Sequence, residues 1–147
     1  EAKYINEDQS QDHIAGYCVV NDLSERAFQL ERSGQWVKGK SCDTFGPIGP
    51  YLVTKDEVAD PQNLKLWLDV NDKRMQDGTT QTMVYGVNFL VSYISQFMSL
   101  QPGDIISTGT PPGVGMGMKP QVFLKPGDVM KLGIEGMGEQ KQKTIAA

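Results

Sequence analysis

Three segments of this chain join polar side chains of defined chemical use to the Gly, Pro and hydroxyl residues of loops. They are NDLSERAFQ at residues 21–29, KSCDT at 40–44 and STGTPPGVGMG at 107–117. In the first, Asp22 closes an apolar run and Arg26 and Gln29 follow within one turn. One carboxylate and two donors in so short a stretch suit a hard metal ion beside an anionic oxygen. The plainer account has Asp22 capping the next turn and Arg26 paired with Glu25 or Glu31 on the surface. In the second, Lys40 lies among small residues, Ser41 and Thr44 carry hydroxyls, and Gly39 and Gly46 let backbone N–H groups point at an anion. A lone lysine beside glycine serves equally well as a loop lysine. The third segment looks superficially like a phosphate loop, but it lacks the G-x-x-x-x-G-K-[ST] spacing. It is either a structural Gly/Pro turn or the place where Thr110, at a strand end, holds a substrate carboxylate.

The inventory narrows the chemistry further. One histidine, His13, and two cysteines, Cys18 and Cys42, are too few for a Cys/His zinc centre. Any metal would be a hard ion with oxygen ligands, namely Mg2+, Mn2+ or Ca2+. His13 reads as a capping or packing residue, and no serine elbow accompanies it. Cys18 falls in a strand and reads as core. Cys42 lies in a polar loop with only Lys40 nearby to favour its thiolate. The seven methionines read as packing.

Those loops need elements to hold them. Ser10 offers an N-cap for a short turn over residues 11–14. AGYCVVND reads as a strand, LSERAFQLERSG as a short helix or two tight turns, and residues 38–50 as a long Gly/Pro loop running into the strand YLVT. LKLWLDV alternates, with Leu64, Leu66, Leu68 and Val70 on one face, and the polar NDK after it predicts a hairpin into RMQDG. In YGVNFLVSYISQFMSL the residues Val87, Leu90, Val91, Ile94, Phe97 and Met98 keep helical spacing, which predicts an amphipathic helix packed on the sheet. LQPGDII and LKPGDVM echo one another: Pro then Gly suits a type II turn leading into a strand. Short strands, Gly/Pro turns and one helix predict a mainly β domain with α additions, a roll or sandwich.

Length and charge set the outer limits. The chain has 147 residues and a net charge of -4, one domain's worth of sequence without the Lys/Arg clusters that nucleic acid or anionic membrane requires. Its apolar stretches are far too short to span a bilayer, and its polar start is no signal peptide. A cytoplasmic protein is expected.

Four stretches, GYCVVNDLSERAFQ, KGKSCDTFGPIGPYLVT, FMSLQPGDIISTGTPPGVG and FLKPGDVMKLGIEGMGEQ, resemble the fumarylacetoacetate hydrolase family in order and spacing. The region around NDLSERAFQLERSGQWVKGKSCDTFGPIGP is similar to the sugar-acid branch, hydrolases of 2,4-diketo-3-deoxy acids such as L-fuconate and L-rhamnonate derivatives. The resemblance implies the family's mixed β-sandwich roll, a homodimer, and a divalent ion, commonly Mg2+, at the mouth of the roll. It implies C–C cleavage of a 2,4-diketo acid through a metal-stabilised enolate. An isomerase, decarboxylase or ureidoglycolate-type lyase, or a non-catalytic keto-acid-binding relative, are the alternatives. Carried over by position, Asp22 matches the metal-ligand Asp, Lys40 and Thr44 the Lys and Thr at the metal and substrate site, Arg26 and Gln29 the substrate-side pair, and Thr110 the hydroxyl that holds the substrate's carboxylate end. The family's Glu-x-Glu ligand pair lies upstream of the segment where EAKYINEDQSQD begins, and its Glu-His dyad has no match. The 147 residues are therefore read as a catalytic domain lacking its N-terminal portion.

Overall fold

The computed structural model describes residues 1–146. Two antiparallel sheets carry the site. Strands β1 (Gly16–Val20) and β2 (Ile48–Thr54) form a ribbon. Strands β3 (Lys65–Val70), β4 (Lys73–Thr79), β5 (Val129–Ile134) and β6 (Glu139–Lys143) form a four-stranded sheet in the order β4-β3-β5-β6. The mainly β expectation holds, and every ladder among the described residues is antiparallel.

The β3–β4 hairpin turns on Asn71 and Asp72, whose φ values of 50° and 61° put both central residues in the left-handed region of a type I′ turn. Asn and Asp tolerate that region because their short polar side chains bond locally. Asn71 reinforces the turn: its Oδ1 accepts from the Val129 N–H at 2.9 Å and its Nδ2 donates to Asp128 Oδ1 at 2.8 Å. Alternation in β3 sorts its side chains as expected. Leu64 and Leu68 pack on the core while Trp67, on the opposite face, lies under the Arg74 guanidinium at 4.9 Å.

The ribbon lies over the sheet through Val19, Leu132 and Met137, all buried, with Tyr17, Val53, Val58 and Leu68 around them. Gln140 ties the layers with polar bonds, its Nε2 donating to the carbonyls of Val19 and Gly49, both at 2.8 Å. Strand β2 starts at Ile48, earlier than the expected YLVT, because Val19 and Val20 pair across to Gly49 and Ile48.

The helix α1 (Val87–Ser95) forms where the spacing placed it, but its main partner is the N-terminal segment, and of the expected sheet contact Tyr17 of β1 packs against the same cluster. Its buried face is Val87, Val91 and Ser95, set against Ala2 and Ile5 of the N-terminal segment. Serines decide this docking: Ser92 Oγ donates to the Ile5 carbonyl at 2.9 Å, and Ser95 Oγ accepts from the Ile5 N–H at 3.2 Å. Phe97 and Met98, expected inward, are exposed, and Phe97 instead meets Tyr93 edge-on at 5.0 Å.

The N-terminal turn also differs from expectation. It spans Glu7–His13 with Asn6 as its cap, and Ser10 sits inside it, fully buried, donating to the Asn88 carbonyl at 2.8 Å. His13 ends that turn and is exposed, so it does not pack in the core. Cys18 is only half-buried. Among the described residues no helix is long and apolar enough to cross a membrane.

Candidate functional site

The end of β1 delivers the first cluster. Asn21 is buried, its N–H donating to the Pro47 carbonyl at 3.1 Å and its Nδ2 to Gln142 Oε1 at 3.0 Å. This anchor leaves Asp22, the next residue, exposed at the mouth of a broad cleft. Lys40 reaches it from the loop after the short turn Trp36–Gly39, with Nζ 2.6 Å from Asp22 Oδ2. The approach of those two loops is close: a Cβ on Gly39 would stand 2.7 Å from the Glu25 carbonyl oxygen, and the Glu25 N–H donates to the Gly39 carbonyl at 2.8 Å. Glycine at 39 therefore sets the distance at which Lys40 meets Asp22.

The segment after Asp22 is a single wide helical turn, Ala27–Glu31, closed by Glu25, whose Oε1 accepts from the Ala27 N–H at 3.0 Å. Arg26 Nη1 donates to Gln29 Oε1 at 2.5 Å. The surface pairing of Arg26 with Glu25 or Glu31 is thus replaced by a bond to Gln29, and Asp22 is held by a lysine rather than spent as a cap. Gln29 is fully buried, and its Nε2 has no acceptor among the described residues. Buried amide donors are nearly always satisfied, so this group awaits an acceptor.

Asp22 and Lys40 meet directly; Arg26, Thr44 and Thr110 border the same very broad open depression, which runs past more than half of the chain, whereas Gln29 lies behind Arg26 and does not border it. Thr44 adopts a φ of 64° in its loop. Thr110 stands on another wall, fixed by a residue that motif reading passed over. Gln76 of β4 donates from Nε2 to Thr110 Oγ1 and to the Pro111 carbonyl, both at 2.8 Å. Because Oγ1 accepts from Gln76, its own O–H is left to donate toward the cleft. Gly113 makes the contact feasible: at φ 112°, a Cβ there would lie 1.9 Å from the Met75 carbonyl oxygen. The only advance signal for Gln76 was a polar residue within a hairpin strand.

Among the described residues no three His, Cys, Asp or Glu side chains converge. Asp22 is one hard-oxygen donor already paired with Lys40, and a divalent ion that takes six or more oxygens is not held by it unaided.

A hydrolase, so named provisionally, from Burkholderia cenocepacia is 62% identical over 145 residues, covering 98% of this chain and 51% of the relative. The fumarylacetoacetate hydrolase of the psychrophile Exiguobacterium antarcticum superposes with a TM-score of 0.94 at 39% identity, over 99% of this chain and 52% of that one. A maleylpyruvate hydrolase from Sphingobium sp. SYK-6, in complex with manganese (II) ion and pyruvate, gives 0.85 at 33% identity, over 98% of this chain and 49% of that one. The chain thus spans about half the length of the relatives it matches. The profile described as fumarylacetoacetate (FAA) hydrolase C-terminal matches residues 1–145, and the chain belongs to that family.

Proposed function

We propose that the protein carrying this chain is a divalent-metal-dependent hydrolase that cleaves a C–C bond in a 2,4-diketo acid, an acylpyruvate or a 2,4-diketo-3-deoxy sugar acid, working as a homodimer. One observation carries the reading: Lys40, from the loop after Trp36–Gly39, pairs with Asp22 at the end of β1, and Arg26, backed by Gln29, borders the same broad cleft as that pair and Thr110. A manganese (II) complex of a related hydrolase and the hard oxygen of Asp22 support an ion at this place, Mg2+, Mn2+ or Ca2+, with its remaining oxygens drawn from substrate and from residues outside this chain. Such an ion would withdraw electron density from the keto acid's oxygens.

The chain's own residues supply the rest. Arg26 offers its guanidinium to a substrate oxygen, and Gln29, buried behind it, positions that guanidinium through the bond its Oε1 accepts. Thr110 donates its hydroxyl proton to the substrate carboxylate. Lys40 Nζ places a positive charge where an enolate oxygen gains negative charge as the C–C bond breaks, which lowers the barrier without reorganisation at the moment of reaction. Thr44 completes the wall. Water adds to the distal ketone, its proton going to a base other than these six residues; collapse of the adduct then breaks the C–C bond, releasing a carboxylic acid and the pyruvate enolate, which takes a proton at carbon.

The test uses the intact protein and acylpyruvate substrates, with release of pyruvate as the readout. Lys40→Met should lower kcat about 100-fold or more with KM little changed, in the range of lost transition-state donors. Retained kcat would make Lys40 a loop lysine. If Asp22→Ala left activity and its metal dependence unchanged, the metal assignment would be wrong.

A further inference from the structure

The helix α1 is apolar on two faces. Val87, Val91 and Ser95 lie on the buried side, and at about 100° per residue Phe89 and Tyr93 fall diametrically opposite. Tyr85 ahead of the helix and Phe97 behind it extend that stripe at the same four-residue interval. The rings touch in a row: Tyr85 and Phe89 stack with centroids 4.6 Å apart, Phe89 and Tyr93 stack at 5.6 Å, and Tyr93 meets Phe97 edge-on at 5.0 Å. Ala2 and Ile5 fill the first face. On the second, Tyr85, Tyr93 and Phe97 are exposed, as are their sequence neighbours Val84 and Met98. A helix that is apolar all round belongs in an interior, and at nine residues α1 is no membrane span. Its second face is therefore an interface.

Composition and charge point to the occupant. No charged residue occurs between Asp77 and Asp104, and Tyr, Phe and Met without Lys, Glu or Asp is the make-up of an interface core. The chain carries a net charge of -4, so two copies repel one another except across such a neutral patch. The row is also its own complement: turned about a two-fold axis through its middle, it sets Phe89 against the partner's Tyr93 and ring against ring throughout. At roughly 150–250 Å2 for each aromatic, the four rings with Val84 and Met98 expose about 600 Å2. Two copies would then bury about 1,200 Å2, the lower bound for a stable specific interface. Of the row only Tyr85 borders the broad depression assigned to substrate, so this face is separate from that site.

We propose that the aromatic row Tyr85, Phe89, Tyr93 and Phe97 is the contact between two copies of this chain, α1 packed against α1 across a two-fold axis. The assignment rests on the homodimer of the functional reading and is independent of the reaction.

Sedimentation of the intact protein at micromolar concentration tests it. The wild type should run at twice its chain mass. Tyr93→Glu combined with Phe97→Glu, both at exposed positions, should run at one chain mass with an unchanged circular dichroism spectrum. The dimer Kd should rise about 100-fold or more, because carboxylates would be buried there without partners. A variant that stays dimeric overturns the inference and leaves the homodimer standing, whereas a monomeric wild type overturns both. Pyruvate release, measured separately, judges the reaction whichever way the mass falls. Should the variant not fold, hydroxyl-radical labelling of the wild type decides: the row should be protected in the dimer and labelled once dilution yields monomer. Labelling of Tyr93 and Phe97 within the dimer, or protection that persists in the monomer because another part of the chain covers the stripe, overturns the inference.

Discussion

LQPGDII at residues 100–106 and LKPGDVM at 124–130 build one turn twice and then diverge. Gly103 and Gly127 have φ values of 97° and 98°. Asp104 Oδ2 accepts from the Gln101 N–H at 2.8 Å, and Asp128 Oδ2 from the Lys125 N–H at 2.7 Å. After Asp128 the chain enters β5, between β3 and β6, and buries Met130 and Leu132. After Asp104 it runs on without a ladder partner among the described residues, leaves Ile105 60% exposed, and carries Thr110 to the cleft. The turn is a local property of Pro, Gly and Asp, whereas the strand is conferred by neighbours. Both copies were expected to enter strands, and only the second does.

The sharpest way to break this contrast is truncation in the two outgoing segments. Leu132→Ala should cost about 2–5 kcal/mol of unfolding free energy, because it removes transfer energy and leaves a cavity in the layer interface. Ile105→Ala should cost no more than about 0.5 kcal/mol, as exposed substitutions do. Denaturant titration of both variants decides it. An equal loss at Ile105 in the intact protein would show that another element covers that residue.

The turns themselves should respond alike. Gly103→Ala and Gly127→Ala each force a Cβ into the left-handed region, at about 1–2 kcal/mol. Thermal unfolding should place the two within about 0.5 kcal/mol of each other, the spread expected of independent sites. A much larger loss at Gly127 would credit its neighbours, since its N–H also donates to the Thr144 carbonyl at 2.9 Å.

Thr110→Val sharpens the contrast from the functional side. Loss of one hydroxyl donor should reduce kcat/KM about tenfold, mostly through KM, equivalent to about 1.4 kcal/mol, with stability unmoved. An unchanged KM would remove Thr110 from the substrate site.

The smallest effect is a pH dependence in the second turn. The Asn71 side-chain amide, and then the Lys125 N–H, hold the Asp128 carboxyl below the usual carboxylate range. A folded-state value below the unfolded one stabilises the protein above the ordinary carboxylate pKa of about 3.9 and is lost as pH falls through the lower folded value. Thermal midpoints measured below about pH 4 should therefore fall less steeply in Asp128→Asn than in the wild type. Parallel curves would mean the turn survives protonation.

Legibility followed the range of the forces involved. The alternation of LKLWLDV, the NDK hairpin and the PGD turns were readable because each depends on residues within a few positions of one another. The existence of α1 was readable from its spacing, but its partner was not. Two serines bonded to the backbone of Ile5, some 90 residues away, set its orientation. The same holds for Ser10, whose type suggested a cap and whose hydroxyl instead meets Asn88. At the site, residue types in the resemblance named Asp22, Arg26, Gln29, Lys40, Thr44 and Thr110. Gln76, which holds Thr110, belongs to a strand 34 residues earlier and carries no motif.

By itself the amino-acid sequence determined the inventory: which side chains can bear charge, bind a hard ion or donate a proton, and where the backbone can turn. Gly, Pro, Asn and Asp act through the conformations open to single residues, so their effects are written locally. Only the tertiary structure decided that Lys40 meets Asp22 rather than solvent, that Arg26 spends a donor on Gln29, and that one PGD segment becomes a strand while its twin does not. Those outcomes depend on pairing backbone groups and burying apolar surface between distant segments, and such energies exist only once the segments meet.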